Sequence, residues 1–560
     1  GAQPPLLQRR RRPPLLRPQA DTPQETAGGE TAGKINEYFV KVLYFRRLQY
    51  MASVSRIRQS FKNSTVALAL FTVNLILQFY SRKIFLDYLG AEVLGLNTTA
   101  SNLLQFLNLA ELGISSAVGF TLYRPLACDD YDTVSEVVSL QRHLYRRIAF
   151  FIIGCSAVLM CFFPWIFAKI TLPLWYAYAA FVVFLISALL GYFVNYKQVV
   201  LTANQQEYKV QYSYKSIMIL KVLVQVYALK NFDSGYVCWL VCEVLFAILG
   251  SLSLSRTTAK AAPYLRKSSK KFDELKKQYA DFTIKIKQLF FHKISGFVLT
   301  QTSPLIIYAY ISLTEVALYD NYMLMILGVM SLTNAIFNGL DASIGNLVST
   351  EKTDRIMSIF EELFSLRFFY ASVLCFAIYL YASDFVTFWI GPEYLLSDST
   401  LSIMVAILFL NIIRTSAGAF LYAYQLVYDI WAPIAEATIN LGLSLLLGYF
   451  YGLNGILTGV LISIVLIPVL WKAYFAFRKG FRRPFGIYIR TLVKHVLLTA
   501  IAMWVFSYVR ICVPVPSAQS MFGLLSEGVI SMTIFSLFLG ALLYFTNSGL
   551  KLFVNRLIKR

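Results

Sequence analysis

The sequence predicts an all-α polytopic membrane protein with about fourteen transmembrane helices. Three observations predict it: composition, a recurring run length, and a one-sided distribution of basic residues. Of 560 residues, 57% are hydrophobic and only 14% are charged, against about 25% charged in soluble domains. Mean hydropathy is +0.60. A soluble chain of this length needs far more polar surface to cover its cores. From Ser64 onward, apolar runs of about 18–27 residues recur, each long enough to cross a ~30 Å hydrocarbon core.

Taken in order, the runs are 64–81, 96–122, 148–171, 174–196, 212–230, 235–254, 294–313, 321–347, 367–389, 400–425, 430–450, 453–476, 496–513 and 522–545. The net charge of +21 would point to nucleic acid in a soluble protein. In a membrane protein it reports orientation, because Lys and Arg concentrate in cytoplasmic loops. Beyond Asn63 there are 39 Lys and Arg; with the N-terminus inside, 32 fall on the cytoplasmic side. Five lie outside (Arg82, Lys83, Lys169, Lys230 and Arg510), and Lys221 and Arg414 fall within spans. Both termini are therefore expected in the cytoplasm, and no nucleic acid is expected as a partner.

The organisation follows from these spans. Residues 1–50 form a disordered basic extension with Arg9–Arg12 and no apolar signal region. An amino-terminal half, 51–254, holds spans one to six. The loop 255–293 carries eleven basic residues and reads as an amphipathic helix on the anionic inner leaflet, or as a solvated linker. A second half, 294–476, holds spans seven to twelve. A basic loop, the last two spans and a cytoplasmic tail occupy 477–560. The halves echo each other: Glu111-Leu-Gly-Ile-Ser-Ser and Asp341-Ala-Ser-Ile-Gly each sit in the second span of a half. An even number of helices per repeat relates the halves by an axis along the membrane normal.

Six ionisable residues lie deep in spans: Glu111, Lys221, Glu243, Asp341, Arg414 and Glu436. Each costs ~2.5–3.5 kcal/mol facing lipid, so they must pair, face the bundle interior or line water. Lys221 with Glu243 is the obvious pair. For all six, a solvated central cavity is the better explanation. Polar stripes agree: Asn74 with Gln78, Asn102 with Gln105 and Asn108, Asn411 with Arg414, and Glu436 with Asn440 recur at helical spacing. Interhelical hydrogen bonding predicts the same pattern. The seven cysteines form no C-x-x-C pair, and no metal or cofactor motif is present. The chain has no Walker A loop, no H-E-x-x-H and no G-x-S-x-G. The pattern is that of a secondary transporter rather than an enzyme.

Several stretches carry a family resemblance. Arg82-Lys-Ile-Phe-Leu-Asp-Tyr-Leu-Gly-Ala-Glu-Val-Leu-Gly-Leu-Asn97 is followed by Leu109-Ala-Glu-Leu-Gly-Ile-Ser-Ser-Ala117 and Leu122-Tyr-Arg-Pro-Leu-Ala127. Further on come Val316-Ala-Leu-Tyr-Asp-Asn-Tyr322, Gly391-Pro-Glu-Tyr-Leu-Leu396 and Tyr451-Gly-Leu-Asn-Gly-Ile-Leu-Thr-Gly459. In order and spacing these resemble the polysaccharide biosynthesis (O-antigen, lipid-linked oligosaccharide) flippases of the multidrug/oligosaccharidyl-lipid/polysaccharide exporter superfamily. The resemblance implies two six-helix lobes around a central cavity plus two extra helices. It implies flipping of undecaprenyl-diphosphate-linked oligosaccharide repeat units across the bacterial inner membrane by alternating access, coupled to H+ or Na+. The product would be surface polysaccharide such as lipopolysaccharide O-antigen or capsule. Glycosyltransferases and a polysaccharide polymerase are the implied protein partners. One departure is Thr302-Ser303-Pro304, where the family carries an Asp; an ion-coupling role for that acid would be absent here or moved to Asp341.

A diphosphate crossing hydrocarbon needs cations, and Arg grips phosphate oxygens bidentately. Arg82, Lys221 and Arg414 are the candidate diphosphate ligands. Glu111, Glu243, Asp341, Glu436, Asn74, Gln78, Asn411 and Asn440 are the candidate cavity and ion-coupling groups. The alternatives are a drug or organic-cation antiporter of the same superfamily, and a membrane-embedded glycan polymerase or ligase, which the short outer loops disfavour.

Met51 is the first methionine, and the resemblance begins just after it. Met51 is expected to be the natural start, with residues 1–50 an upstream extension. N-terminal sequencing of native protein checks this; peptides from 1–50 would contradict it.

Overall fold

The computed structural model describes residues 30–111, 113–279, 301–426, 428–512, 520–546 and 548–558, with short pieces between 286 and 298. The chain divides into two units, Gly1–Phe61 and Lys62–Arg560, and the contacts and cavities discussed below lie in the second. Among the described residues the structure is helical, without strands. Among these described residues, nine helices are long and apolar enough to cross a membrane. The architecture is that of an all-α multi-pass membrane protein.

In the amino-terminal lobe, α1 (Glu30–Leu107) bends at Gly90, which separates the first expected span from the second. It therefore includes residues 30–50, assigned to the extension above; residues 1–29 lie outside the described residues. α2 (Ile114–Ala127), α3 (Tyr131–Cys161), α4 (Trp175–Phe193), α5 (Ser216–Asn231) and α6 (Gly235–Ala261) complete the lobe. α2 packs on α3, α3 on α4, and α6 on both α4 and α5. The second expected span is not one helix. It ends at Leu107, passes through a 3-10 turn at Asn108–Glu111 and restarts at Ile114. Gly113 has φ 94, a conformation that costs a residue with a Cβ and lets the chain turn here.

In the carboxy-terminal lobe, a helical stretch over 301–310 (α7) precedes α8 (Leu313–Thr350), α9 (Thr353–Trp389), α10 (Asp398–Ala423) and α11 (Trp431–Ile464). Residues 299–300 and most of 280–295, including the start of the seventh expected span, lie outside the described residues. α11 folds back on itself at Gly452, φ 57, so one helical stretch makes the eleventh and twelfth spans. The two arms approach so closely that a Cβ on Gly455 would overlap the Leu447 carbonyl. π-helical turns at Val465–Trp471 and Ala476–Phe481 continue the second arm.

The last helices, α12 (Gly486–Cys512), α13 (Met521–Thr546) and α14 (Ser548–Ile558), stack on α9. Phe376, Phe506, Phe535 and Leu539 form the apolar part of that contact. Its polar part includes buried His495, whose Nε2 lies 3.2 Å from Ser365 Oγ, and buried Glu362, which pairs with the more exposed Arg556 at 2.7 Å.

The first part of the basic loop, 255–279, also has a defined course. Its first part extends α6 to Ala261, and a short helix covers Phe272–Gln278. This stretch docks on the extension of α3. The Arg266 and Ser268 amides donate to Ser135 and Ser139, Leu275 is fully buried, and Lys270 pairs with Glu136 at 2.6 Å. Tyr279 OH and Gln278 Nε2 donate to the same carboxylate. Burial raises the Glu136 carboxyl, but Lys270 and these two donors outweigh it and hold the group below its ordinary 4.5.

A carboxylate with a lowered folded value stabilises the docked state above its ordinary value and loses that stabilisation as pH falls through the lowered one. Limited proteolysis within 262–279 is therefore expected to be slow at neutral pH and to accelerate below pH 4.5. Lys270→Ala is expected to bring the fast cleavage to neutral pH. A cleavage rate flat with pH and unchanged in the variant would contradict the docking.

Candidate functional site

The lobes meet at one end of the bundle through a set of polar contacts. Arg82 Nη1 in α1 donates to Asp320 Oδ2 in α8 at 2.8 Å and to Asn321 Oδ1 at 3.4 Å. Thr98 Oγ1 donates to the same Asp320 oxygen at 3.2 Å. Lys83 Nζ donates to the Trp389 carbonyl, and Trp389 Nε1 donates to the Phe79 carbonyl. Tyr308 OH reaches the Ile166 carbonyl and Lys169 Nζ the Ala309 carbonyl. The Leu313 carbonyl sits where a Cβ on Gly95 would be. Three of the five cations that break the one-sided charge pattern thus tie the two lobes together. A fourth, Lys230, donates to Tyr80 OH.

Beneath these contacts lies a cavity of about 640 Å³ between the lobes, within the ~300–1,000 Å³ typical of small-molecule sites. Its amino-terminal wall comes from α1, α5 and α6, with Phe184 of α4; its carboxy-terminal wall comes from α7 and α8. Arg82 and Asp320 form its edge. Lys221 Nζ pairs with Glu243 Oε1 at 2.7 Å, and Gln225 Nε2 donates to Glu243 Oε2 at 2.9 Å. Both partners of this pair remain about 15% exposed to the cavity side. Between the charges the wall is rich in amides: Gln78, Asn97, Asn102, Gln105, Gln225 and Gln301. Trp239 and Phe85 add aromatic surface.

The remaining expected residues are distributed elsewhere. Arg414 does not join Arg82 and Lys221. It lines an adjoining cavity of about 340 Å³ within the carboxy-terminal lobe, with Asn411, Asn334 and a mostly Met, Leu and Ile wall. Glu436 pairs with Arg414 at 3.5 Å, and buried Asn440 donates to Ser463 Oγ at 3.4 Å. Tyr319, Met323 and Leu327 are shared by the two cavities. Glu111 sits in a third cavity inside the amino-terminal lobe, accepting from Tyr145 OH at 2.7 Å. Gln78 lines the central cavity, whereas Asn74, one turn earlier, is half-buried on α1 and lines none of these cavities. The Asp341 side chain lies outside the described residues.

Sequence reasoning missed Asp320. The eighth span was expected to begin at residue 321, which placed Asp320 in an outer loop. The helix instead begins at Leu313, with Ser312 capping its first turn. The Ser-x-x-Glu capping signature at Ser312–Glu315 was the signal that would have moved the boundary.

No protein-family model and no curated protein matches the sequence. Solved structures do match in fold. The lipid II flippase MurJ, in an inward closed conformation, aligns with TM-score 0.61 and 14% identity over 86% of this chain and 99% of that one. An inward-facing multidrug resistance MATE family transporter of the MOP superfamily aligns with TM-score 0.54 and 14% identity over 74% of this chain and 99% of that one. The chain has the fold of these transporters.

Removing one member of a buried ion pair costs about 3–5 kcal/mol, because the other charge is left without its counterion. Lys221→Met is expected to lower thermal stability by that order, and adding Glu243→Gln is expected to recover most of the loss. Equal unfolding midpoints for the single and double variants would show that the pair does not form.

Proposed function

We propose that this protein is a flippase for a polyprenyl-diphosphate-linked oligosaccharide, working by alternating access between its two lobes and coupled to an ion gradient. The observation that carries this reading is the central cavity wall. Two cations, Arg82 and Lys221, sit among six amide side chains. Amides hydrogen-bond sugar hydroxyls, and a guanidinium and an ammonium offset the charge of a diphosphate. An apolar drug would meet an unfavourably polar wall here. Supporting it are the family resemblance of the motif set and the fold shared with a lipid-carrier flippase and a multidrug transporter.

In the described state both cations are held by acids, so the diphosphate must displace Glu243 from Lys221 and Asp320 from Arg82. The second exchange breaks the ion pair that fastens the lobes, so substrate binding loosens the closed end. The lipid tail stays in the bilayer. On the one-sided charge pattern the fastened end faces the outside of the bacterial inner membrane, and the cavity receives substrate from the cytoplasm.

A second reading has its own observation. Asp320 and Glu243 equal the cavity cations in number, and acids freed from those pairs would bind an organic cation for antiport.

Reconstituted protein with a fluorescent undecaprenyl-diphosphate oligosaccharide separates the two. Arg82→Ala and Lys221→Ala are expected to slow leaflet exchange about tenfold or more per folded protein, the scale of one lost charged contact. Arg414→Ala is expected to have a smaller effect. Exchange unaffected by either of the first two variants would remove the diphosphate site. Absence of lipid exchange, together with proton-driven ethidium uptake, would favour antiport.

A further inference from the structure

The cavity of about 340 Å³ inside the carboxy-terminal lobe holds no part of the diphosphate site. Its wall is graded along two helices. α8 and α10 pack against each other and, with one span between them, run in the same direction. Along α8 the lining residues are Met323 and Met330, then Asn334. Along α10 they are Met404 and Leu408, then Asn411 and Arg414. On both helices apolar side chains come first and polar ones last. Met404 and Arg414 are separated by about 15 Å along the helix axis. α11 adds Val460 and Ile464 to the apolar wall.

At the polar end, Arg414 is the one charged residue among the described residues that line the cavity. Its side chain is 31% exposed, whereas that of Glu436 is 5% exposed and does not line the cavity. Their contact is 3.5 Å, long against the usual range of about 2.7–3.2 Å. It engages one nitrogen of a guanidinium that carries several donors. Among the described residues Arg414 makes no other hydrogen bond. Asn334 is exposed and adds an amide to the same end. Open guanidinium donors at one end of an apolar slot suit an anion with an apolar body. The head makes charge-assisted hydrogen bonds, and the body is removed from water. A neutral apolar occupant would leave the donors dry, and a cationic one would meet the arginine charge.

We propose that this cavity binds a monocarboxylate with a linear apolar chain, a fatty-acid-like amphiphile. Its head lies on Arg414 and Asn334, and its chain runs past Met330, Leu408, Met323 and Met404. Methionine side chains adapt to a chain of variable shape. Tyr319, Met323 and Leu327 line both this cavity and the central one. An occupant on one side therefore sets the position of side chains that an occupant on the other side meets. The chemistry of the site does not rest on what the central cavity carries.

The test is binding, without any lipid-linked sugar. Purified full-length protein in phosphatidylcholine nanodiscs is titrated with radioactive decanoate, with empty discs as the blank. Decanol and decyltrimethylammonium serve as neutral and cationic competitors. The wild type is expected to bind decanoate saturably, and both competitors are expected to be about 10–100-fold weaker, the range for a contact to a charge. The double variant Arg414→Gln/Glu436→Gln removes both charges of the pair and is expected to weaken decanoate binding by the same factor. Asn334→Leu, at an exposed position, tests the same end and is expected to weaken it about tenfold. No saturable binding above empty discs overturns the proposal, as does equal competition by all three head groups. Full affinity in both folded variants overturns it as well. Binding lost in Arg82→Ala but kept in the double variant would put the anion in the central cavity and also overturn it. None of these outcomes uses lipid exchange, so this site and the flippase reading fail separately.

Discussion

The ion pair between Arg82 and Asp320 joins two lobes rather than closing within one. Its placement has consequences for everything around it. Each member is 18–28% exposed, so the pair is neither a sealed core bridge nor a freely solvated surface pair. Its neighbours are the other contacts that tie the lobes: Lys83 and Phe79 to Trp389, Ile166 to Tyr308, Gly95 against Leu313. The polar cavity lies directly beneath. Arg82 and Asp320 thus both fasten one end of the bundle and line the cavity.

Broken helices are the second organising device. Among the described residues, three interruptions occur at glycines: Gly90 between the first two spans, Gly113 within the second, and Gly452 between the arms of α11. At Gly452 the break allows two spans to pack backbone against backbone. At Gly113 the chain restarts as α2, and a cavity lined by Glu111 lies at the break. A regular helix satisfies its own backbone and leaves only side chains to recognise a ligand. A broken one brings carbonyls and dipoles to the same spot.

Much of this was legible in the residues. Run length and the one-sided distribution of basic residues are direct consequences of bilayer thickness and insertion, so the multi-span fold could be read from them. Lys221 and Glu243 could be matched because each is costly alone and both fall at mid-span of consecutive helices. What could not be read was tertiary. Periodicity put Asn102, Gln105 and Asn108 on one stripe, yet the helix break after Leu107 sends Asn108 to a different cavity from the other two. Arg414 resembled Lys221 in sequence depth, but it faces a pocket inside its own lobe. The docked course of the basic loop depends on Ser135, Ser139 and Glu136 of α3, more than a hundred residues away. No local pattern reports such a pairing.

The central claim is that the fastened end must open for transport. A direct measurement replaces Phe79 and Trp389 by cysteine in a protein lacking its seven native cysteines. The pair is joined with a short bifunctional thiol reagent that dithiothreitol cleaves, and lipid-linked oligosaccharide exchange is followed before and after cleavage. The account predicts that the joined protein is folded and inactive and that reduction restores exchange. Full-rate exchange with the crosslink in place would contradict it.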